Sequence, residues 1–163
     1  ITPTVLINKD YTATLKSFGA SGDAIIVAKD WNNSYFGEYF IIDFYTCDGL
    51  NTASKGTSGL FAVNGVRIYH IDSTLSKTKD SIWEVTEYDN SYTAHKLIKL
   101  IEADGRNDIE STTGSIYGGH SEDSDLFQTN DSIELKWYDG TIATTMTVNQ
   151  ITTDGANISF IFK

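Results

Sequence analysis

Proline occurs once in the 163 residues, at Pro3, and cysteine once, at Cys47. A single proline excludes a proline-rich linker or stalk. A single cysteine excludes an internal disulfide, and with it a disulfide-stapled scaffold, but leaves the compartment open. No apolar run approaches the roughly 18 residues that cross a bilayer as a helix. No secretory leader pattern opens the chain. Cationic residues are scarce as well: 12 Lys and Arg stand against 22 Asp and Glu, for a net charge of -10. A surface of that sign repels phosphate backbones, which argues against a nucleic-acid partner. It is compatible with calcium, with a basic partner, or with plain solubility. The chain begins at Ile1 rather than Met, and so reads as a piece of a longer or processed protein.

What is abundant points to strands. Hydrophobic residues make up 40% and aromatics 12%, enough for a real core, and the 21% of charged residues is too low for a disordered chain. The aromatics join many Val, Ile and Thr, the residues that suit a pleated surface. Short apolar segments alternate with Gly, Asn, Asp and Ser. They predict strands over Thr4–Asn8, Tyr11–Phe18, Asp23–Lys29, Glu38–Thr46, Gly59–Val63, Gly65–Asp72, Ser81–Tyr88, Lys96–Ala103, Ser132–Tyr138, Thr144–Gln150 and Ala156–Phe162. Period-2 alternation is clean in "SIELKWY", with Ile133, Leu135 and Trp137 on one face, and in "ANISFIF", with Ile158, Phe160 and Phe162. "VNGV", "YDGT" and "TTDGAN" carry Asn-Gly or Asp-Gly, the strongest short hairpin signals. "HKLIKLIEA" also fits a helical face, but its neighbours favour a strand. These features predict one all-β domain over residues 1–163: an antiparallel β-sandwich of jelly-roll or Greek-key type.

Chemistry is harder to find. The His-Glu-x-x-His signature of a zinc protease helix is missing, and His70, His95 and His120 stand apart in the sequence. Cys47 has Asp48 beside it, which disfavours a thiolate. No nucleophile elbow and no phosphate loop occur. The expectation is a chain without catalytic activity of its own. In "VNGVRIYHID", Val66, Ile68 and His70 face one way and Arg67, Tyr69 and Ile71 the other. Arg67, His70 and Asp72 are expected to serve folding.

The stretch Asp104–Asn130 lacks periodicity and is rich in Gly, Ser and Asp. A loop of that length in a compact domain is usually functional or held by something. Two readings stay open. It is a solvated acidic loop, or its Asp104, Asp108, Asp123 and Asp125 converge on calcium, which takes six to eight oxygens from carboxylates and carbonyls. A sugar-binding reading is carried by Trp31, Trp83, Trp137 and the tyrosines. Trp137 alternates as a core residue does, whereas Trp31 in "KDWNNSYFG" looks turn-like.

Several segments, in order, resemble the immune inhibitor A-type secreted metallopeptidases. They are "GEYFIIDFYT", "GLFAVNGVRIYHID", "HKLIKLIEADGRND", "DSDLF" and the closing "NQITTDGANISFIF", spanning Gly37 to Phe162. In that family such segments follow the zinc helix. The resemblance therefore implies the non-catalytic β-rich C-terminal part of a secreted peptidase-like protein. Its partner would be the catalytic domain of the parent chain, and its place extracellular or at the cell surface. The alternative is an independent module that binds a sugar or a surface protein. Departures are Asp43 as the acid of "EYFIID", Val66 and Arg67 where aliphatics are usual, and "SEDSDLF" without a Gly-Asp start.

Overall fold

The computed structural model describes residues 2–31, 34–55, 57, 60–77, 83–91, 93–110 and 119–163. Eleven strands are assigned among them. In chain order these are β1 (Thr4–Leu6), β2 (Tyr11–Leu15), β3 (Ala24–Ala28), β4 (Glu38–Tyr45), β5 (Gly65–Asp72), β6 (Leu75–Lys77), β7 (Glu84–Thr86), β8 (Ile98–Leu100), β9 (Ser132–Lys136), β10 (Ile142–Thr152) and β11 (Gly155–Ile161). One helical turn, α1 (Phe18–Ser21), and two 3-10 turns, Gly49–Ser54 and Asp123–Asp125, interrupt them. Among the described residues no helix is long and apolar enough to cross a membrane.

The strands form a five-stranded sheet in the order β1-β3-β4-β5-β8 and a four-stranded sheet in the order β2-β11-β10-β9. β6 and β7 make a separate ribbon. The chain is an all-β sandwich, as its composition predicts. All the pairs are antiparallel except β1 with β3, which runs parallel because β2 crosses to the other sheet between them.

Alternation explains the core. Ile25, Val27, Phe40, Ile42, Phe44, Val66 and Ile68 from the larger sheet meet Leu15, Leu135, Met146, Val148, Ile158 and Phe160 from the smaller one. Trp137 joins them and tilts against Phe40 with ring centres 4.9 Å apart. The outer face of the larger sheet carries a smaller cluster of Ile26, Ala28, Tyr39 and Ile71, with Trp31 packed on it.

The turn signals fared unevenly. "YDGT" closes the β9–β10 hairpin: Gly140 sits at φ +85 and Asp139 accepts the Thr141 amide. "TTDGAN" joins β10 to β11. "VNGV" is not a hairpin, because no strand forms over residues 60–63 (Gly59 lies outside the described residues). That segment docks by side chains instead. Phe61 packs edge-on against Tyr45, and its carbonyl accepts the Tyr45 hydroxyl. Gly65 is required by crowding, since a Cβ there would lie 2.5 Å from the Leu126 Cβ. "HKLIKLIEA" is a strand: β8 pairs with β5, and the Ile101 amide extends the ladder to Ile68. Ser81–Tyr88 contributes only the short β7 to the described residues, its start lying outside them.

Phe160 is 1% exposed at the centre of the smaller sheet. Phe160→Ala is expected to lower the unfolding free energy by about 3–5 kcal/mol. Thr12→Ala, at an exposed position of the adjacent strand, is expected to stay within about 0.5 kcal/mol of the parent protein in denaturant titrations.

Candidate functional site

Two polar clusters sit at opposite ends of the β5–β8 pair. Strand alternation turns His70 inward at the end of β5, beneath the β9–β10 hairpin. Its Nε2 lies 2.8 Å from Glu38 Oε1, and the same carboxylate accepts the Tyr138 amide. The imidazole is stacked between Phe40, at 4.3 Å, and Tyr138, at 4.1 Å. Beyond Tyr138 the stack continues. His95 lies 3.8 Å from Tyr138 and 3.5 Å from Tyr88, and its Nε2 is 2.7 Å from Asp72 Oδ2. Asp72 Oδ1 accepts the Thr74 amide and hydroxyl, the Asx-type arrangement that suits an Asp at a strand end. The Tyr138 hydroxyl bridges the Lys96 amide and carbonyl.

The result is a ladder of five rings with two histidine–carboxylate pairs. It fastens the segment before β8 and the β9–β10 turn to the end of the sandwich. His70 and His95 do not stand apart in space, as they do in sequence, whereas His120 is exposed. Each Nε2 already faces a carboxylate. Among the described residues neither histidine belongs to a group of three ligating side chains. Burial opposes the charge on Asp72, but its bonds to Thr74 and His95 outweigh burial and hold its carboxyl below the ordinary range.

Arg67 is spent on structure too. It stands directly across from Asp43 in the β4–β5 register and grips it with two bonds of 2.9 Å. Its guanidinium also lies over the rings of Tyr45 and Tyr69. Asp43 is 3% exposed. Burial pushes its carboxyl up, and the bonds from Arg67 work in the opposite direction.

The other end of β5 is acidic. β8 runs on through Ile101 to Glu102, which is buried and folds the following turn onto itself. Its Oε2 accepts the Asp108 amide at 2.8 Å, and its Oε1 the Ile109 amide at 3.3 Å. The intervening turn is made by Gly105 at φ +72 and by Asp104, whose Oδ1 accepts the Arg106 amide. Asp125 arrives from the Asp123–Asp125 turn. That turn is held by the Ala103 amide on the Asp125 carbonyl and by two bonds between Val66 and Phe127. Asp125 Oδ2 accepts the Glu122 amide at 2.7 Å. Among the described residues its Oδ1 is buried without a partner.

Glu102, Asp108 and Asp125 each place one carboxylate oxygen within 4.8 Å of the others. Among the described residues no Lys or Arg pairs with any of the three. Two like charges about 5 Å apart repel by about 3 kcal/mol at an effective dielectric of 20. Burial pushes the carboxyls of Glu102 and Asp125 up. Backbone amides oppose the rise, and neighbouring carboxylates add to it: Asp125 and Asp108 act on Glu102, and Asp104, Asp108 and Glu122 act on Asp125.

The expected set of Asp104, Asp108, Asp123 and Asp125 is therefore brought together only in part. Asp108 and Asp125 meet. Asp104 lies on the exposed turn paired with Arg106, and Asp123 accepts the Ala62 amide at 2.7 Å. Glu102 takes the vacant place. The signal for it is the end of the apolar strand at Ile101, with a lone acid between strand and turn. Residues 111–118 of the acidic stretch lie outside the described residues.

Compared with family models, curated proteins and solved structures, the chain has no match.

The sign of the Asp72 shift gives a pH prediction. A depressed carboxyl contributes stability above its unfolded value and loses it as pH falls through the folded value. Asp72→Asn is expected to melt below the parent protein at pH 7, and the gap is expected to close toward pH 3. His70→Ala is expected to cost about 1–3 kcal/mol, because a buried, stacked imidazole is removed and the half-buried Glu38 carboxylate keeps only the Tyr138 amide. An unchanged melting temperature in either variant at neutral pH would contradict this account.

Proposed function

We propose that the chain is a non-catalytic β-sandwich region of a longer, secreted, zinc metallopeptidase-like protein, where it supports the catalytic lobe outside the cell or at its surface. The observation that carries the reading is where the resembling segments lie. "GEYFIID" is β4, "GVRIYHID" is β5, "HKLIKLIEADG" is β8 with its turn, and "DSDLF" docks on Val66. Three segments separated in sequence are thus adjacent strands of one sheet, and the fourth bridges to β5. Their polar residues are the ones that build the two clusters: Glu38, His70, Asp72 and His95 at one end, and Glu102, Asp108 and Asp125 at the other. Such residues define how a module is assembled. Zinc belongs to the catalytic lobe in this reading, and no residue here is assigned to it.

A second reading, a sugar- or surface-binding module, draws on one observation. Tyr35 and Phe36 are 59% and 63% exposed beside Trp31. Trp31 meets Tyr35 and Tyr39 edge-on, so these three rings do not form a flat platform.

The purified chain is expected to hydrolyse neither casein nor fluorogenic peptides, with or without added zinc. Cleavage that survives purification and stops with a chelator would overturn the non-catalytic reading. Within the parent protein, removing residues 1–163 is expected to lower the melting temperature of the catalytic lobe. Polysaccharide binding by the isolated chain that is lost on Tyr35→Ala and Phe36→Ala would favour the second reading.

A further inference from the structure

We propose that Glu102, Asp108 and Asp125 form a calcium site that fastens the turn after β8 and the Asp123–Asp125 turn to the same end of the sandwich. The proposal stands on two independent observations. The first is the convergence of three carboxylate oxygens within 4.8 Å. The second is Asp125 itself. It is 1% exposed, one oxygen is committed to the Glu122 amide, and the other has no partner among the described residues. A buried carboxylate oxygen without a donor is costly unless something outside the chain satisfies it.

The donor set selects the ion. Every side-chain donor is a carboxylate oxygen, with no imidazole or thiolate among them, which suits a hard cation and not zinc or copper. Magnesium keeps most of its water and uses one or two carboxylates, whereas calcium accepts several carboxylates in irregular geometry. The site is also built in advance. Both oxygens of Glu102 are oriented by the Asp108 and Ile109 amides, and Asp125 is oriented by the Glu122 amide. Asp104 and Glu122 add negative charge around Asp125. A dication would relieve repulsion among three carboxylates that form no ion pair with a described Lys or Arg. The proposal is independent of the chemistry of the parent protein, since it concerns only groups within this chain.

The test uses the whole chain stripped with a chelator, then titrated with calcium chloride in a calorimeter and melted in millimolar calcium, millimolar magnesium or chelator. One calcium per chain is expected, with a melting temperature raised by several degrees and a smaller rise with magnesium. Asp125→Asn and Glu102→Gln are expected to weaken calcium binding about tenfold or more. Asp108→Asn alters a half-buried residue, so it tests the site even if the buried positions do not tolerate change. It is expected to weaken binding similarly, with an unchanged circular dichroism spectrum. Asp123→Asn, which removes the charge but keeps an oxygen to accept the Ala62 amide, is expected to leave calcium affinity unchanged. Absence of heat and of any thermal shift in millimolar calcium would overturn the proposal. So would a shift of equal size in the Asp108→Asn and Asp125→Asn proteins. Stabilisation by mild acid with none by calcium would also overturn it, by showing carboxyls neutralised with protons.

Discussion

The contact between Val66 and Phe127 is small, yet much of the molecule is arranged around it. Each residue donates its amide to the carbonyl of the other, at 3.0 Å in both directions. The pair can form only because Gly65 carries no side chain where Leu126 lies. It delivers Phe127 to the main core, and Leu126 to the cluster of Tyr45 and Phe61. It also brings Asp125 beside Glu102. A connection of some thirty residues, from the end of β8 to the start of β9, is pinned at its far end by this exchange and by the Ala103 amide on the Asp125 carbonyl. A bulkier residue at position 65 would therefore disturb the core, the Phe61 segment and the acidic cluster together.

The two ends of β5 handle buried acid in opposite ways. At the Asp72 end, Glu38 and Asp72 face each other in the β4–β5 register, two carboxylates that would repel if left alone. Each receives a histidine, and the imidazoles are separated by the Tyr138 ring. Donors and stacking surface are supplied together, which is how a polar group can be buried without loss. At the Gly65 end, backbone amides supply the donors, and they do not reach every oxygen. Arg67 and Asp43 lie between the two ends, on the other face of the strand, as a closed bidentate pair.

The sequence was most legible where pairing is local. β9, β10 and β11 follow one another through short turns, so alternation and Asp-Gly pairs were enough to place them. Gly65 misled because Asn-Gly marks a hairpin only when a strand lies on both sides. Here the glycine answers a steric demand from a residue sixty positions away. Glu102 was hidden by its setting in an apolar run, and its partner Asp125 comes from beyond the acidic stretch's undescribed middle. The histidine ladder was illegible for a related reason. Its central ring, Tyr138, belongs to a hairpin of the other sheet, and no spacing between His70 and His95 foretells a tyrosine between them. The role of Asp72 could be read, because an Asp at a strand end bonds locally.

Charge then bears on where the fold is weakest. The net charge of -10 is spread over the surface, where water and salt screen it. The acid of Glu102 and Asp125 is not screened in that way, because both are buried. Local opening exposes such groups to water and relieves their repulsion, so it is favoured wherever buried like charges lack a counterion. The turn after β8 and the Asp123–Asp125 turn are joined to the sandwich by few backbone bonds, whereas the strands beneath them share long ladders. Among the described elements, this end should therefore open before the sheets do. A cation held there would act on that local equilibrium first and on global unfolding second. The histidine-paired end, whose carboxylates already have donors, would respond little.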